Sequence, residues 1–263
     1  MKILASDLDG TLVNNQLISD EDIIAIKRLK EKGHKFVVST GRTYHGFRLI
    51  FDKYDVECDY LVLCNGSIVM DGDHNILYRN FIKSEVALEM ITEFLDNDDL
   101  CLYFDDGQDT YLVEGHYIEE KEFNIGEYAS KIITREEVDD TDRKYQIISV
   151  FPKNKSAEDA ERIREKLQKK YGEHLEVFRN QFFLDIAPKG CSKGMGLRQI
   201  IDNVDEDFGD LYAIGDSLND LSMFEITDNS YTFHHAEEIV RGRANNHVNH
   251  VHECISDILN INY

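Results

Sequence analysis

Lys2–Val13 reads KILASDLDGTLV: a short apolar run, then two aspartates one residue apart, then Gly-Thr. Lys2–Ser6 is read as a buried strand. That puts Asp7 and Asp9 at its carboxyl end, where open α/β sheets place their ligands. Working outward, the same rhythm repeats. Ser19 is an N-cap before DEDIIAIKRLKEKG, with acids in the first turn, lysines in the last and Gly33 as its stop. Lys35–Ser39 (KFVVS) is a second strand, residues 43–53 are helical, and Tyr60–Cys64 (YLVLC) is a third strand ending in Asn65-Gly66. Continuous apolar strands alternating with helices predict a parallel sheet covered on both faces.

Beyond Gly66 the texture changes. SIVMDGDHNILYRN predicts a hairpin turning around Asp71-Gly72-Asp73. A helix over Ser84–Leu95 follows, then strands LCLYF and TYLV around Asp105-Asp106-Gly107, and a helical or irregular stretch. A strand at IISVF, a charged helix over Ser156–Tyr171 and strands at LEVF and FFLDI complete the segment. From Pro188 the βα rhythm resumes, with a helix after Lys193, the strand LYAIG, a short helix from Leu218, the strand SYTFH and a last helix from His252. The expected fold class is therefore α/β: a doubly wound parallel sheet over residues 1–82 and 186–263, interrupted by an inserted α+β domain over 83–185.

The chain has 263 residues, enough for a substantial core, and its 29 Lys and Arg against 51 Asp and Glu give a formal charge of −22. Such a field opposes nucleic acid and anionic lipid. It also repels a small phosphate ester, so a phosphate site here needs local cations or a metal. The five cysteines are spread without a CxxC pair, which suits reduced thiols in a cytoplasmic protein better than a disulfide scaffold or zinc ribbon. The start turns acidic within a few residues, unlike a signal peptide, and no stretch is apolar enough to span a bilayer.

Three chemistries fit DxDG. A plain turn is one, since Asp and Gly are turn residues. A calcium loop is the second, but an EF-hand has its glycine at the sixth position, and here Gly10 comes at the fourth with a strand in front. The third is metal-dependent phosphoryl transfer, and two further stretches support it. STGR (Ser39–Arg42) offers a hydroxyl and backbone N–H groups for phosphate oxygens. IGDSLND (Ile214–Asp220) adds two acids and an amide, and Lys193 in GCSKG sits just inside a helix start. If these strands lie side by side, one sheet edge carries several carboxylates and one lysine, which is tolerable only around a cation. Oxygen ligands favour a hard ion such as Mg²⁺.

DLDGT, STGR, the lysine of GCSKG and GDSLND, in that order, resemble the four motifs of the haloacid dehalogenase (HAD) superfamily. The insert between the second and third motifs, the Asn-Gly after the third strand and the GDSxND form are similar to the Cof-type, subclass IIB phosphatases. The resemblance covers essentially the whole chain. It implies a Rossmann-like core with a type B cap, and it assigns roles by motif. Asp7 would be the nucleophile that forms an aspartyl-phosphate, and Asp9 the general acid and base. Mg²⁺ would bind Asp7, the Asp9 backbone carbonyl and Asp216. Thr40 and Gly41 would hold the phosphate with Asn219, and Lys193 would balance its charge. Asp220 would orient Lys193 or a metal-bound water, or merely cap a helix; Arg42 would reach the substrate or merely neutralise the site; Asn65 and Gly66 could face the site or form a turn.

One departure is Thr43 after TGR, where relatives often have proline, and it bears on how the next helix starts. Another is the run of His234, His235, His247, His250 and His252, read as solvated because its spacing matches no zinc pattern. The implied activity is hydrolysis of small phosphorylated metabolites, sugar phosphates or phosphorylated cofactors, by a monomer or weak homodimer that binds neither nucleic acid nor membrane. The insert, as a cap, would select the substrate and exclude water. The alternatives are a phosphomutase, which needs an Arg-rich second phosphate site, and a non-catalytic binder.

Overall fold

The computed structural model describes residues 1–107, 109–120, 123–124, 129–138, 142–204 and 208–261. The chain divides into two compact units, Met1–Gly41 with Ile50–Arg79 and Ser192–Tyr263, and Arg42–Leu49 with Asn80–Cys191.

The strands are β1 (Ile3–Ser6), β2 (Lys35–Ser39), β3 (Tyr60–Leu63), β4 (Ile68–Asp71), β5 (Ile76–Arg79), β6 (Leu100–Asp105), β7 (Thr110–Val113), β8 (Glu119–Glu120), β9 (Phe123–Asn124), β10 (Lys131–Ile133), β11 (Ile147–Pro152), β12 (Leu175–Asn180), β13 (Phe183–Pro188), β14 (Leu211–Ile214), β15 (Asn229–Phe233) and β16 (Asn246–Val248). The helices are α1 (Asp20–Glu31), α2 (Tyr44–Phe51), α3 (Ser84–Leu95), α4 (Ala157–Tyr171), α5 (Lys193–Asn203), α6 (Leu221–Phe224), α7 (Glu238–Arg241) and α8 (Val251–Leu259).

In the first unit the described strands form one sheet in the order β16-β15-β14-β1-β2-β3-β4-β5, parallel from β16 to β3 and antiparallel beyond. All four residues of β1 are buried, so both sheet faces are covered there. Helix α1 packs with α8 over β2, β14 and β16, and α5 packs with α6 over β2, β3, β14 and β15. The chain order reverses between β1 and β14, which makes the carboxyl ends of these two strands the topological switch point. Local chemistry explains the starts and stops. Ser19 caps α1 by accepting from Asp22 N at 3.1 Å, and Gly33 follows the helix at φ +77°. Thr43 accepts from Gly46 N at 3.1 Å, so a hydroxyl caps α2 where the relatives' proline would have pre-set the backbone.

The hairpin of β4 and β5 is present, but its left-handed residue is His74 (φ +65°) rather than Gly72. Asp71 Oδ1 holds the turn by accepting from Asp73 N and Asn75 N at 3.0 and 2.8 Å. Gly72 is needed for space, since a Cβ there would lie 2.9 Å from the Cys58 carbonyl oxygen.

In the second unit the sheet order is β10-β7-β6-β11-β13-β12. Alternate residues of these strands (Leu102, Phe104, Val113, Ile148, Val150, Leu184, Ile186) pack with Met90, Ile91 and Phe94 of α3 and Ala160, Leu167 and Tyr171 of α4 into one apolar layer. The unit runs past the expected limits of 83 and 185, because β13 continues to Pro188 and pairs along its full length with β12. The stretch expected to be helical or irregular contributes β8 and β9, paired with each other, and β10, parallel to β7. Short strands lacking a clean period of two leave little trace in a sequence.

Candidate active site

Lys193 opens α5, buried and next to the positive end of the helix dipole, where a lysine is doubly disfavoured. Its ammonium donates to Asp7 Oδ1 at 2.6 Å and to Asp220 Oδ1 at 2.5 Å. Burial alone would push this ammonium's pKa down, and Asp220 and Asp7 more than reverse the effect, so the lysine stays charged.

Asp220 is fully buried, and its Oδ2 accepts from Asp216 N and Ser217 N, both at 2.9 Å, closing a capping box with Ser217. Gly215 makes room for it, because a Cβ there would lie 2.3 Å from the Asp220 carboxyl carbon. One carboxylate thus both closes the capping box and accepts from Lys193.

Asp7 follows β1, with its N–H donating to Ile214 O at 2.9 Å. Burial raises its carboxyl well above the ordinary value; Lys193 opposes this, and Asp220 and Asp216 add to it. Asp216 is pushed up to about 6, first by burial and then by Asp220. Its Oδ1 accepts from Thr11 Oγ1 at 3.0 Å, and Gly10 lies against its carboxylate, where a Cβ would come within 2.6 Å. Oxygens of Asp7, Asp216 and Asp220 lie within 4.8 Å of one another. Three carboxylates facing one ammonium leave an excess of negative charge, which adds to burial in raising Asp7 and Asp216. These three carboxylates could hold a hard divalent cation, Asp220 being the most engaged of them by protein donors, and the oxygen donors suit Mg²⁺.

Asp9 is half-buried in the turn that Gly10 N and Val13 O close at 3.0 Å. Thr40 is buried at the end of β2, its N–H on Val62 O and its carbonyl accepting from Asn65 N at 3.1 Å. Asn219 donates Nδ2–H to Asn65 Oδ1 at 3.1 Å and accepts from Ser217 Oγ at 3.2 Å. The N–H of Gly194, one residue past the lysine, donates to Ser222 Oγ at 3.1 Å, which ties α5 to α6.

Asp7, Asp9, Thr40, Gly41, Lys193, Asp216, Asn219 and Asp220 all belong to the first unit, at the carboxyl ends of β1, β2 and β14 or the start of α5. Arg42 groups with the second unit, and its guanidinium donates to Gly46 O at 3.1 Å. Two contributors went unrecognised in the sequence. Thr11 was visible only as part of a tight turn, and Ser217 only as a letter within GDSLND. His234, His235, His247 and His250 are exposed, as expected, whereas His252 is half-buried: its Nδ1 meets the buried Asp22 Oδ1 at 3.1 Å, and His250 stacks on it with centroids 5.1 Å apart. The acidic group around Asp7 contains no histidine, and it is the one potential metal cluster among the described residues.

Residues 4–258 match the family of haloacid dehalogenase-like hydrolases. Among curated proteins, the chain is 26% identical to the 5-amino-6-(5-phospho-D-ribitylamino)uracil phosphatase YwtE of Bacillus subtilis, with 93% of this chain and 91% of that one covered. It is also 26% identical to the HMP-PP phosphatase of Yersinia pestis, over 84% of this chain and 80% of that one. Among solved structures, the HAD subclass IIB sugar phosphatase BT4131 shares the fold, with a TM-score of 0.80 at 21% identity, covering 99% of this chain and 98% of that one.

Proposed function

The chain belongs to the haloacid dehalogenase-like hydrolases as a phosphoric monoester hydrolase, and we propose that it cleaves small phosphorylated metabolites with Mg²⁺ through an aspartyl-phosphate on Asp7. The observation that carries this is Lys193, buried between Asp7 and Asp220 with Asp216 alongside. Lys193 occupies Asp7 Oδ1, which leaves Oδ2 to attack phosphorus. The bond from Oδ2 to phosphorus forms as the bond to the leaving oxygen breaks, and Asp9 gives that oxygen its proton. Water then attacks phosphorus, Asp9 takes the water's proton, and Asp7 and inorganic phosphate are released.

Thr40, Gly41 and Asn219 donate hydrogen bonds to the transferring group, and the fixed charge of Lys193 needs no reorganisation as charge develops. Asp220 keeps Lys193 aimed at Asp7. Asp7, the Asp9 carbonyl and Asp216 would hold Mg²⁺, which when bound would supply positive charge to screen the nucleophile from the anionic substrate. We assign the first unit as the catalytic core and the second as the substrate-selecting cap, with Arg42 on the substrate side. The names of the relatives support metabolites such as sugar phosphates, a phosphorylated ribityl compound or HMP-PP.

Four arginines of the second unit support hydrolysis over a mutase reaction. Arg135 pairs with Asp96, Arg162 with Glu158 and Asp159, and Arg164 and Arg179 share Glu161, so these four are committed to carboxylates rather than gathered for a second phosphate.

The test is phosphate release from a panel of phosphorylated metabolites with Mg²⁺, beside EDTA and Asp7→Asn. We expect release that EDTA abolishes and that falls by at least about a thousandfold in Asp7→Asn. Release by Asp7→Asn at the parent's rate would remove the aspartyl-phosphate, and no release from any ester by the folded parent would favour a mutase or a binder.

A further inference from the structure

Cys64, Asn65 and Gly66 have φ of +50°, +51° and +90°, the one run of three positive φ values among the described residues. Asparagine tolerates this region in turns, but a cysteine rarely enters it, and non-glycine residues held there recur at functional sites. This turn touches three parts of the candidate site at once. The Asn65 N–H donates to Thr40 O at 3.1 Å, and Asn65 Oδ1 accepts from Asn219 Nδ2 at 3.1 Å. Gly66 meets the Ser192 carbonyl so closely that a Cβ would lie 2.0 Å from its oxygen, and Ser192 is the residue before Lys193.

The Asn219 amide has two N–H bonds and one carbonyl oxygen. Ser217 Oγ engages the oxygen, and Asn65 Oδ1 engages one N–H. In this orientation the second N–H remains to be donated. If the amide turned over, it would offer an oxygen to phosphate instead, and that contact is repulsive.

We infer that Asn65 is a positioning residue for phosphate capture. It acts through the Asn219 amide and the Thr40 main chain without touching the reacting atoms. This rests on the assignment of Asn219 and Thr40 as phosphate donors.

The experiment compares Asn65→Gly, Asn219→Ala and the double variant in Mg²⁺-dependent hydrolysis of p-nitrophenyl phosphate, with inhibition by inorganic phosphate and melting temperature as further readouts. Glycine accepts positive φ, so Asn65→Gly removes the amide and keeps the turn. We expect it to lower kcat/KM by about tenfold and to weaken inhibition by phosphate in parallel, with the melting temperature little changed. The double variant should fall no further than Asn219→Ala, because one effect acts through the other. Three results would overturn the inference alone while Asn219→Ala is impaired: Asn65→Gly within twofold of the parent, losses that multiply in the double variant, or a loss that merely tracks the unfolded fraction. Full activity in Asn219→Ala would overturn its assignment as a donor and the inference with it.

Discussion

At the carboxyl edge of β1, Lys193 and Asp7 are paired with side chains 1% and 5% exposed; between α3 and α4, Lys166 and Glu93 are paired with side chains 70% and 33% exposed. Both pairs are 2.6 Å long. The difference lies in what each replaces. Lys166 and Glu93 exchange good solvation for a screened contact, so little is gained or lost. Lys193 and Asp7 have given up solvation altogether and depend on each other, on Asp220 and on whatever cation the excess carboxylates attract. The second unit is held by its apolar layer of strand and helix side chains, and its ions decorate it. At the first unit's sheet edge, charge is part of the interior.

Removing the two lysines is the sharpest way to break this comparison. Lys193→Met strands two buried carboxylates and should cost about 3–5 kcal/mol in urea unfolding, whereas Lys166→Met should cost about 0–1 kcal/mol. Equal losses would mean that the buried pair is solvated after all.

A smaller effect, of opposite sign in the two regions, appears with pH. Burial and then Asp220 push the Asp216 carboxyl up to about 6 against an ordinary 3.8. Between these values the folded state binds more protons than the unfolded one, so stability falls as pH rises from about 4 to about 6, by roughly 2–3 kcal/mol. A divalent cation favours the ionised carboxylate and should remove that loss. The rise in melting temperature on adding Mg²⁺ should therefore be larger at pH 7 than at pH 5, and an equal rise would take Asp216 out of the metal site.

The smallest effect belongs to Glu93, which hydrogen bonds from Lys166 and Lys170 hold down at about 2 against an ordinary 4.5. Its contribution is present above about pH 4.5 and fades as pH falls towards 2. Solvent screening limits it to about 1 kcal/mol or less. Glu93→Gln should flatten the acid limb of a stability–pH curve by that amount. An unchanged limb would show the pair to be energetically silent.

The βα order was legible because parallel strands are buried on both faces and read as unbroken apolar runs, as KILAS and YLVLC do. The site was legible because DLDGT, STGR, GCSKG and GDSLND each stand at a strand end or helix start. What escaped were features set by neighbours distant in sequence. The left-handed backbone at Cys64 and Asn65 depends on Thr40, Asn219 and Ser192, and no local propensity announces it at a cysteine. Thr11 serves Asp216 from 205 positions away. At the β4–β5 hairpin, Gly72 is present because Cys58, distant in sequence, leaves no room for a side chain.

Asp7 and Lys193 stand 186 positions apart, and all of Asn80–Cys191 lies between them. On a ribosome that separation becomes time. Asp7 emerges early, β1 finds β2 on one flank, and the other flank waits for β14. Meanwhile the intervening segment has every strand it needs to close its own sheet. A chain interrupted between β13 and α5 therefore holds every strand of the second sheet and an aspartate without its lysine. On the proposed mechanism, reaction competence would arrive only with the last third of the polypeptide, after the second unit's strands are all made.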